Sequence, residues 1–405
     1  MPIGERRSAK PGPQRPPDSA RPPLLPVTPP APSTTLPGVS NTFGEYLRVT
    51  TWGESHGPGI GCVIDGVPPG IEISEGAIAA ALARRRPGQA LTSARSEPDR
   101  PRILSGWHEG RTLGSPLAIW IENLDARPGD YAEIARAYRP GHADWTTEAR
   151  YGVRDPRGGG RASARETAAR VAAGAIAEAI LRAEAPIEIV AWVERVADIS
   201  ADGAAPVDPE RVTRAAVDAH PARTPDREAA QRMAARIEAA RDAGDSLGGW
   251  IRVVARGVPA GWGDPVAAKM KALLAGALLS LPAAVAFEIG DGIAATARTG
   301  SENNDPLVPG PAGPRPESNR SGGDLGGITT GAPLICGVGF KPTSTIRAEQ
   351  RTVDRTGRAT TLAASGRHDP CVLPRAVPVV EAMVALVLAD RLLARRAAPP
   401  AAREV

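Results

Sequence analysis

The sequence predicts a globular protein that mixes short strands with helices, on three observations. Short β-prone runs broken by glycine and proline fill the region after residue 45, helical stretches with recognisable caps follow, and 42% hydrophobic content in 405 residues can bury a large core. Residues 1–40 stand apart, because they hold 12 of the 42 prolines and no periodic apolar pattern. Such a segment buries too little surface to offset its ordering entropy, so a disordered tail is expected there. It lacks the apolar stretch of a secretory signal, and a cytoplasmic location is the expectation.

From Tyr46 the run YLRVTTWGESHGPGIGCVIDGVPPGIEI predicts strand, loop, strand. Ser74 is placed to cap a helix running to Arg86. A helix over 163–183 is rich in small residues and predicted to pack closely, and one over 265–281 has Asp264 and Pro265 as cap and first turn. A last amphipathic helix over 377–396 begins at Pro378 and ends in basic residues that complement its dipole, leaving 397–405 as a short tail. Between these, 206–243 predicts a peripheral insertion of two surface helices opening at DPERV and TPDRE. Segment 301–323 is turn chemistry throughout, and a loop of that length in a compact domain is functional or disordered.

The formal charge is +4, but five basic residues against two acidic ones in the tail account for +3 of it, leaving about +1 for the rest. A nucleic-acid partner is therefore not expected. The longest uncharged apolar run, Ala272 to Phe287, is shorter than a bilayer span and contains Pro282, so no membrane segment is expected either. Cys62, Cys336 and Cys371 lie far apart with no metal-ligand spacing, which predicts neither disulfide nor metal and fits a reducing compartment.

Five histidines are present, and His56, His142 and His368 sit in the glycine- or proline-flanked loops GESHGPG, YRPGHAD and SGRHDPC. Histidine titrates near neutrality and loops carry function, so these three are candidates for proton transfer, while His108 and His220 are read as ordinary surface residues. RDPRGGGRASARET sets Arg154, Arg157, Arg161 and Arg165 around a glycine cluster that opens into a helix, a combination suited to an anion. No P-loop or dinucleotide fingerprint is present. RRRPG at 84–88 puts three arginines at a helix end, where cations are favoured in any case. LGGITTG and KPTST bracket the strand-like APLICGVGF and suit a phosphate or a flat polar ring edge. Asp369 is the acidic group to single out, although Asp before proline is also a common turn former.

Taken in order, GESHGPGIGCVIDGVPPG, RRRPGQ, SEPDRPRILSGWHEG, YRPGHADW, RGGGRASARETAARVAAGAIA, EIGDG, GGDLGGITTG, KPTST and GRHDPCVLPRAVPVVEAM closely resemble the chorismate synthase family, from about Asn41 to Leu393. The resemblance implies an α+β fold, a β-α-β sandwich with helices held between antiparallel sheets, a homotetramer, and a requirement for reduced FMN. It implies a 1,4-anti elimination of phosphate from 5-enolpyruvylshikimate 3-phosphate, giving chorismate with no net redox change. By the same resemblance His56 stands beside the leaving phosphate, His142 beside the flavin pyrimidine ring, and Asp369 near flavin N5 as proton relay. Arg161, Ala162, Ser163, Pro282, Ala283, Gly326, Lys341, Pro342, Thr343, Ser344, Thr345 and Arg367 fall on flavin-contacting blocks. Arg48, Arg85 and Arg139 are candidates for the substrate's anionic groups, and Arg85 also for NADPH acting as external or intrinsic reductant. Two departures stand out: RASARE replaces the frequent RSSARE, so Ala162 offers only backbone atoms, and QALTSAR lacks an arginine that some relatives use for NADPH. The 301–323 loop has no aligned counterpart and is expected near the flavin blocks. Two other classes stay open at this point, a flavin oxidoreductase that consumes reductant stoichiometrically and a non-catalytic anion- or RNA-binding protein.

Overall fold

A computed structural model of the chain describes residues 41–399 apart from 94, 126–133, 202–205, 312 and 365–367. The expectations for the tail 1–40 and for Arg367 lie outside the described residues. The rest belongs to one unit, Ser40–Val405.

Two five-stranded sheets form the outer layers. The first contains β1 (Thr42–Phe43), β2 (Arg48–Trp52), β3 (Gly59–Asp65), β4 (Pro101–Ser105) and β5 (Leu117–Glu122), in the spatial order β1-β2-β3-β5-β4. The second contains β6 (Glu188–Val196), β7 (Ile199–Ser200), β8 (Gly249–Arg256), β9 (Ala284–Ile289) and β10 (Leu334–Phe340), in the order β9-β10-β8-β6-β7. Every pairing within them is antiparallel; Cys62 stands opposite Thr51 and Ile119, and Val253 opposite Ala191 and Cys336. Period-2 alternation fixes the faces. In β3, Ile60, Cys62 and Ile64 point inward with Leu117, Ile119 and Ile121 of β5, all at most 1% exposed. The three cysteines are free and buried in the core, and burial pushes each thiol up to about 12.

Helices fill the space between the sheets. The α1 helix (Glu75–Arg85) starts as expected, with the Ser74 hydroxyl accepting the Ala77 N–H at 3.1 Å. Later come α2 (Asp144–Tyr151), α3 (Thr167–Glu184), α4 (Arg214–Asp218), α5 (Arg227–Asp242), α6 (Met270–Leu279), α7 (Gly300–Asn303) and α8 (Leu373–Ala397). The α3 helix packs on the first sheet and on α8, and α8 packs on the second sheet, giving the layers sheet, α3, α8, sheet. The crossing of α3 and α8 is close because it is built on small residues: a Cβ added to Gly174 would lie 2.3 Å from the Ala382 Cβ. The α+β sandwich with helices between antiparallel sheets is thus the observed fold.

Several elements differ from expectation. The glycine cluster does not open directly into α3, since two 3₁₀ turns, Gly160–Ala162 and Ala164–Glu166, intervene. The α6 helix begins five residues later than Pro265, with Lys269 as cap; the Asp264 carboxylate is drawn instead to Arg391 at 2.9 Å. The α8 helix starts at Leu373 with Pro374 in its first turn, so Pro378 lies inside it. It is the central buried helix rather than an amphipathic one, and its charged residues are paired. Glu381 receives Arg84 and the Ala191 N–H, and Asp390 accepts the backbone N–H groups of Glu45, Tyr46 and Leu47 at 2.9, 2.7 and 2.8 Å. In the 206–243 segment DPERV forms a turn; the first helix starts after its Thr213 cap, and Val217, Met233 and Ile237 join the core. Segment 301–323 carries part of α7 and a short ladder pairing Leu307–Val308 with Arg315–Pro316. Asp305 gathers it by accepting from the Ser318 hydroxyl and the Arg320 and Ser321 amides. No described helix is long and apolar enough to cross a membrane.

Candidate functional site

Loops at the ends of the two sheets and the start of α3 surround a cavity of about 470 Å³, within the size range of cofactor and substrate sites. Its described lining includes six arginines and Lys341 against two acids, Glu166 and Asp369. A partly enclosed surface of that sign raises the local concentration of anions.

The loop between β2 and β3 brings His56. The ring is buried, its Nδ1 is 3.0 Å from the buried Ser55 hydroxyl, and Gly158 lies against it so closely that a Cβ there would sit 2.7 Å from the ring. Gly158 also has φ +92, so the position requires glycine on two counts. Nearby, burial raises the Glu54 carboxyl above its ordinary value despite the attraction of Arg161.

The loop before α2 brings His142, whose Nδ1 is 2.9 Å from Asp144 Oδ1. Burial outweighs that carboxylate and pulls the imidazole below its ordinary value, with Arg139 and Lys341 acting in the same direction. Although burial opposes it, bonds from Arg139 and His142 hold Asp144 well below the usual carboxylate range. Arg139 donates to Asp144 from Nε and Nη2, both at 2.7 Å, and also to the Thr345 hydroxyl and the Gly158 carbonyl. One guanidinium therefore ties the His142 loop to the glycine loop and to the segment after β10.

That segment adds Lys341 and Ser344, which both donate to the Gly141 carbonyl, and Thr343, whose hydroxyl donates to the Asp369 carbonyl at 2.9 Å. Asp369 accepts the Ser93 N–H at 2.7 Å on one carboxylate oxygen and Arg375 on the other. Arg161 reaches back to β2, donating to the Thr51 hydroxyl at 2.6 Å. Small residues, Gly159, Ala162, Pro282 and Ala283, leave part of the wall smooth beside these charges.

A protein-family model described as chorismate synthase matches residues 47–393. The chain belongs to the chorismate synthase family. It is therefore an enzyme of the carbon–oxygen lyase class. It is 56% identical over 358 residues to a chorismate synthase of Synechococcus sp. (strain JA-3-3Ab), spanning 88% of this chain and 94% of that protein. It is likewise 56% identical to one from Thermosynechococcus vestitus, over 88% and 97% of the two chains. A crystal structure of chorismate synthase superposes with a TM-score of 0.69 at 32% identity, covering 87% of this chain and 93% of that one.

Of the residues singled out in the sequence on chorismate synthase resemblance, the fold brings thirteen to the cavity wall. His56, His142 and Asp369 are there with Arg139, Arg161, Ala162, Ser163, Pro282, Ala283, Lys341, Thr343, Ser344 and Thr345. The Ala162 N–H is taken by the Gly159 carbonyl at 2.9 Å. Pro342 sits between two lining residues without lining the cavity itself. Three others lie elsewhere in this chain. Gly326 turns a short hairpin at φ +67. Arg48 is exposed on β2 and pairs with Asp65 of β3. Arg85 is 1% exposed behind the wall, donating to Asp99 at 3.0 Å, the Ala164 carbonyl at 2.7 Å and the Thr167 hydroxyl at 3.1 Å. A guanidinium committed to three internal acceptors serves the packing of α1 on α3 and does not reach the cavity. The 301–323 segment, expected near the site, contributes no described residue to the lining.

The sequence reading missed Arg170, Arg375 and Asp144. Arg375 lies just before the helix expected over 377–396 and inside the one observed, and no local pattern announces that its guanidinium turns back to Asp369. Asp144 was discoverable, because His-x-Asp in a loop is a spacing at which a carboxylate reaches the imidazole two residues before it.

Proposed function

We propose that the cavity takes 5-enolpyruvylshikimate 3-phosphate together with reduced FMN, and that the chain catalyses the 1,4-anti elimination of phosphate to give chorismate. The carrying observation is the convergence of six arginines and Lys341 with His56, His142 and Asp369 in one cavity. That substrate bears a phosphate and two carboxylates, and guanidinium groups bind such anions bidentately.

The residues present also fit a flavin. Arg161, Ala162, Ser163, Pro282, Ala283 and the Lys341–Thr345 segment would hold it, with cations available to its phosphate and small side chains beside the ring. When bound, reduced flavin would supply transient electron density to the allylic system without net oxidation. Within this reading the arginines neutralise the phosphate as it leaves, His56 donates the proton it needs, and Asp369, held in place by Arg375, receives the proton lost from the ring. His142, on the same cavity wall, would present a ring nitrogen to the flavin. NADPH serves as an external or intrinsic reductant that primes the flavin, and the enzyme works in the cytoplasm as a homotetramer. In support of self-association, Val285 of β9 and the neighbouring Ile293 are 59% and 78% exposed, an apolar edge that a second copy would cover.

The test is anaerobic phosphate release from 5-enolpyruvylshikimate 3-phosphate with chemically reduced FMN present or absent. Equal amounts of phosphate and chorismate, formed only with reduced flavin, are the expected result. No release from folded, FMN-binding protein would overturn the reading.

A further inference from the structure

We propose that Asp144 is the positioning residue of the site: it holds His142 in the tautomer with hydrogen on Nδ1, leaving Nε2 as the nitrogen that meets a ligand in the cavity.

The geometry carries this. Asp144 is 4% exposed and ionised, so its Oδ1, 2.9 Å from His142 Nδ1, can only accept. Nδ1 must therefore carry the proton in both charge states of the ring, and Nε2 alone gains or loses one. The carboxylate is itself immobilised. Arg139 engages it through Nε, Nη2 and its own backbone N–H at 3.1 Å, and Arg154 approaches Oδ1 within 3.6 Å. A carboxylate that orients an imidazole and stabilises its cation, and is itself held by a guanidinium, is the arrangement by which a histidine is readied to donate or accept at its far nitrogen. The charged groups facing His142 are Asp144, Arg139 and, from the segment after β10, Lys341. Two of the three are cations, so Asp144 is the group that keeps the protonated ring accessible at all.

The role of His142 in turnover rests on the function proposed above; the tautomer does not. Two-bond ¹H–¹⁵N correlation spectra of ¹⁵N-histidine-labelled, flavin-free protein, assigned with the His142→Gln variant, read it directly. Expected are a neutral wild-type ring protonated on Nδ1 and, in Asp144→Asn, a mixed or Nε2-protonated ring. The variant's titration midpoint should fall by about one pH unit or more, since an opposite charge at this range shifts a pKa by roughly 1–3. Turnover of Asp144→Asn should drop mainly in kcat, with Asp144→Glu recovering part of it. An Nε2-protonated wild-type ring overturns the proposal even if the variant fails to fold, and so does an unchanged tautomer and midpoint in folded Asp144→Asn. If the wild type shows the expected tautomer but releases no phosphate, the functional reading fails and the positioning role of Asp144 stands.

Discussion

Arg375 holds Asp369 by one carboxylate oxygen while the Ser93 amide holds the other, so the acid is fixed in direction at the cavity wall. Arg375 is anchored in turn by donating from Nε to the Arg85 carbonyl at 3.2 Å. Replacing it with Gln removes a charge-assisted bond to Asp369. At about 1.5–3 kcal/mol for such a bond, turnover should fall by roughly 10- to 100-fold. Steady-state kinetics check this, and unchanged kcat would show that Asp369 needs no such partner.

Arg85 is expected to matter for folding rather than for ligand binding. It is fully buried between Asp99, Ala164 and Thr167, and burial, with Arg375 adding to it, draws its pKa down to about 9. Asp99 in turn is shared with Arg165 of the cavity wall. Arg85→Gln leaves a buried carboxylate short of one partner, and such losses cost about 3–5 kcal/mol. Chemical denaturation should show that loss, while the KM for substrate in whatever fraction folds stays near wild type. A raised KM with unchanged stability would return Arg85 to the ligand.

Gly174→Ala tests the layer that holds both sheets together. The added Cβ would meet Ala382 at 2.3 Å in the α3–α8 crossing, where neither backbone can yield without moving a sheet. Overpacking of this kind costs about 1–3 kcal/mol. The double variant with Ala382→Gly should recover part of it, because the second change removes the clashing atom; no recovery would place the strain elsewhere.

What was legible in the sequence follows from how local each signal is. The Ser74 cap, the small-residue face of α3 and the strand-loop-strand around His56 are written in neighbouring residues, and all three are observed. Boundaries set by tertiary contacts were not legible. Pro378 looked like a helix start because proline favours the first turn, yet α8 begins at Leu373 and tolerates Pro378, which forfeits one backbone bond, to Pro374. Nor does sequence show that Asp264, a good cap by type, would be drawn to Arg391 instead. At the site, the glycine-flanked loops named the histidines, whereas Arg375, whose partner Asp369 lies one turn before α8 in an acid-before-proline step, became visible only with the helix in place.

The pH dependence of stability follows from His142, Asp144 and Asp99. Burial holds the folded His142 below its ordinary 6.5, so between the two values the unfolded chain binds more protons than the folded one, and stability rises with pH across that window. The two carboxylates behave alike at lower pH. Burial opposes ionisation of both, but Arg139 with His142 holds Asp144, and Arg85 with Arg165 holds Asp99, below their ordinary 3.8. Their contribution is complete above that value and is lost as pH falls through the folded pKa. Stability should therefore decline in two stages on acidification, first from about pH 6.5 and again below about pH 4. Thermal unfolding of His142→Gln across the same range should lose the first stage and keep the second. If the variant retains the decline beginning near pH 6.5, another group sets it and the burial of His142 is not what stability reports.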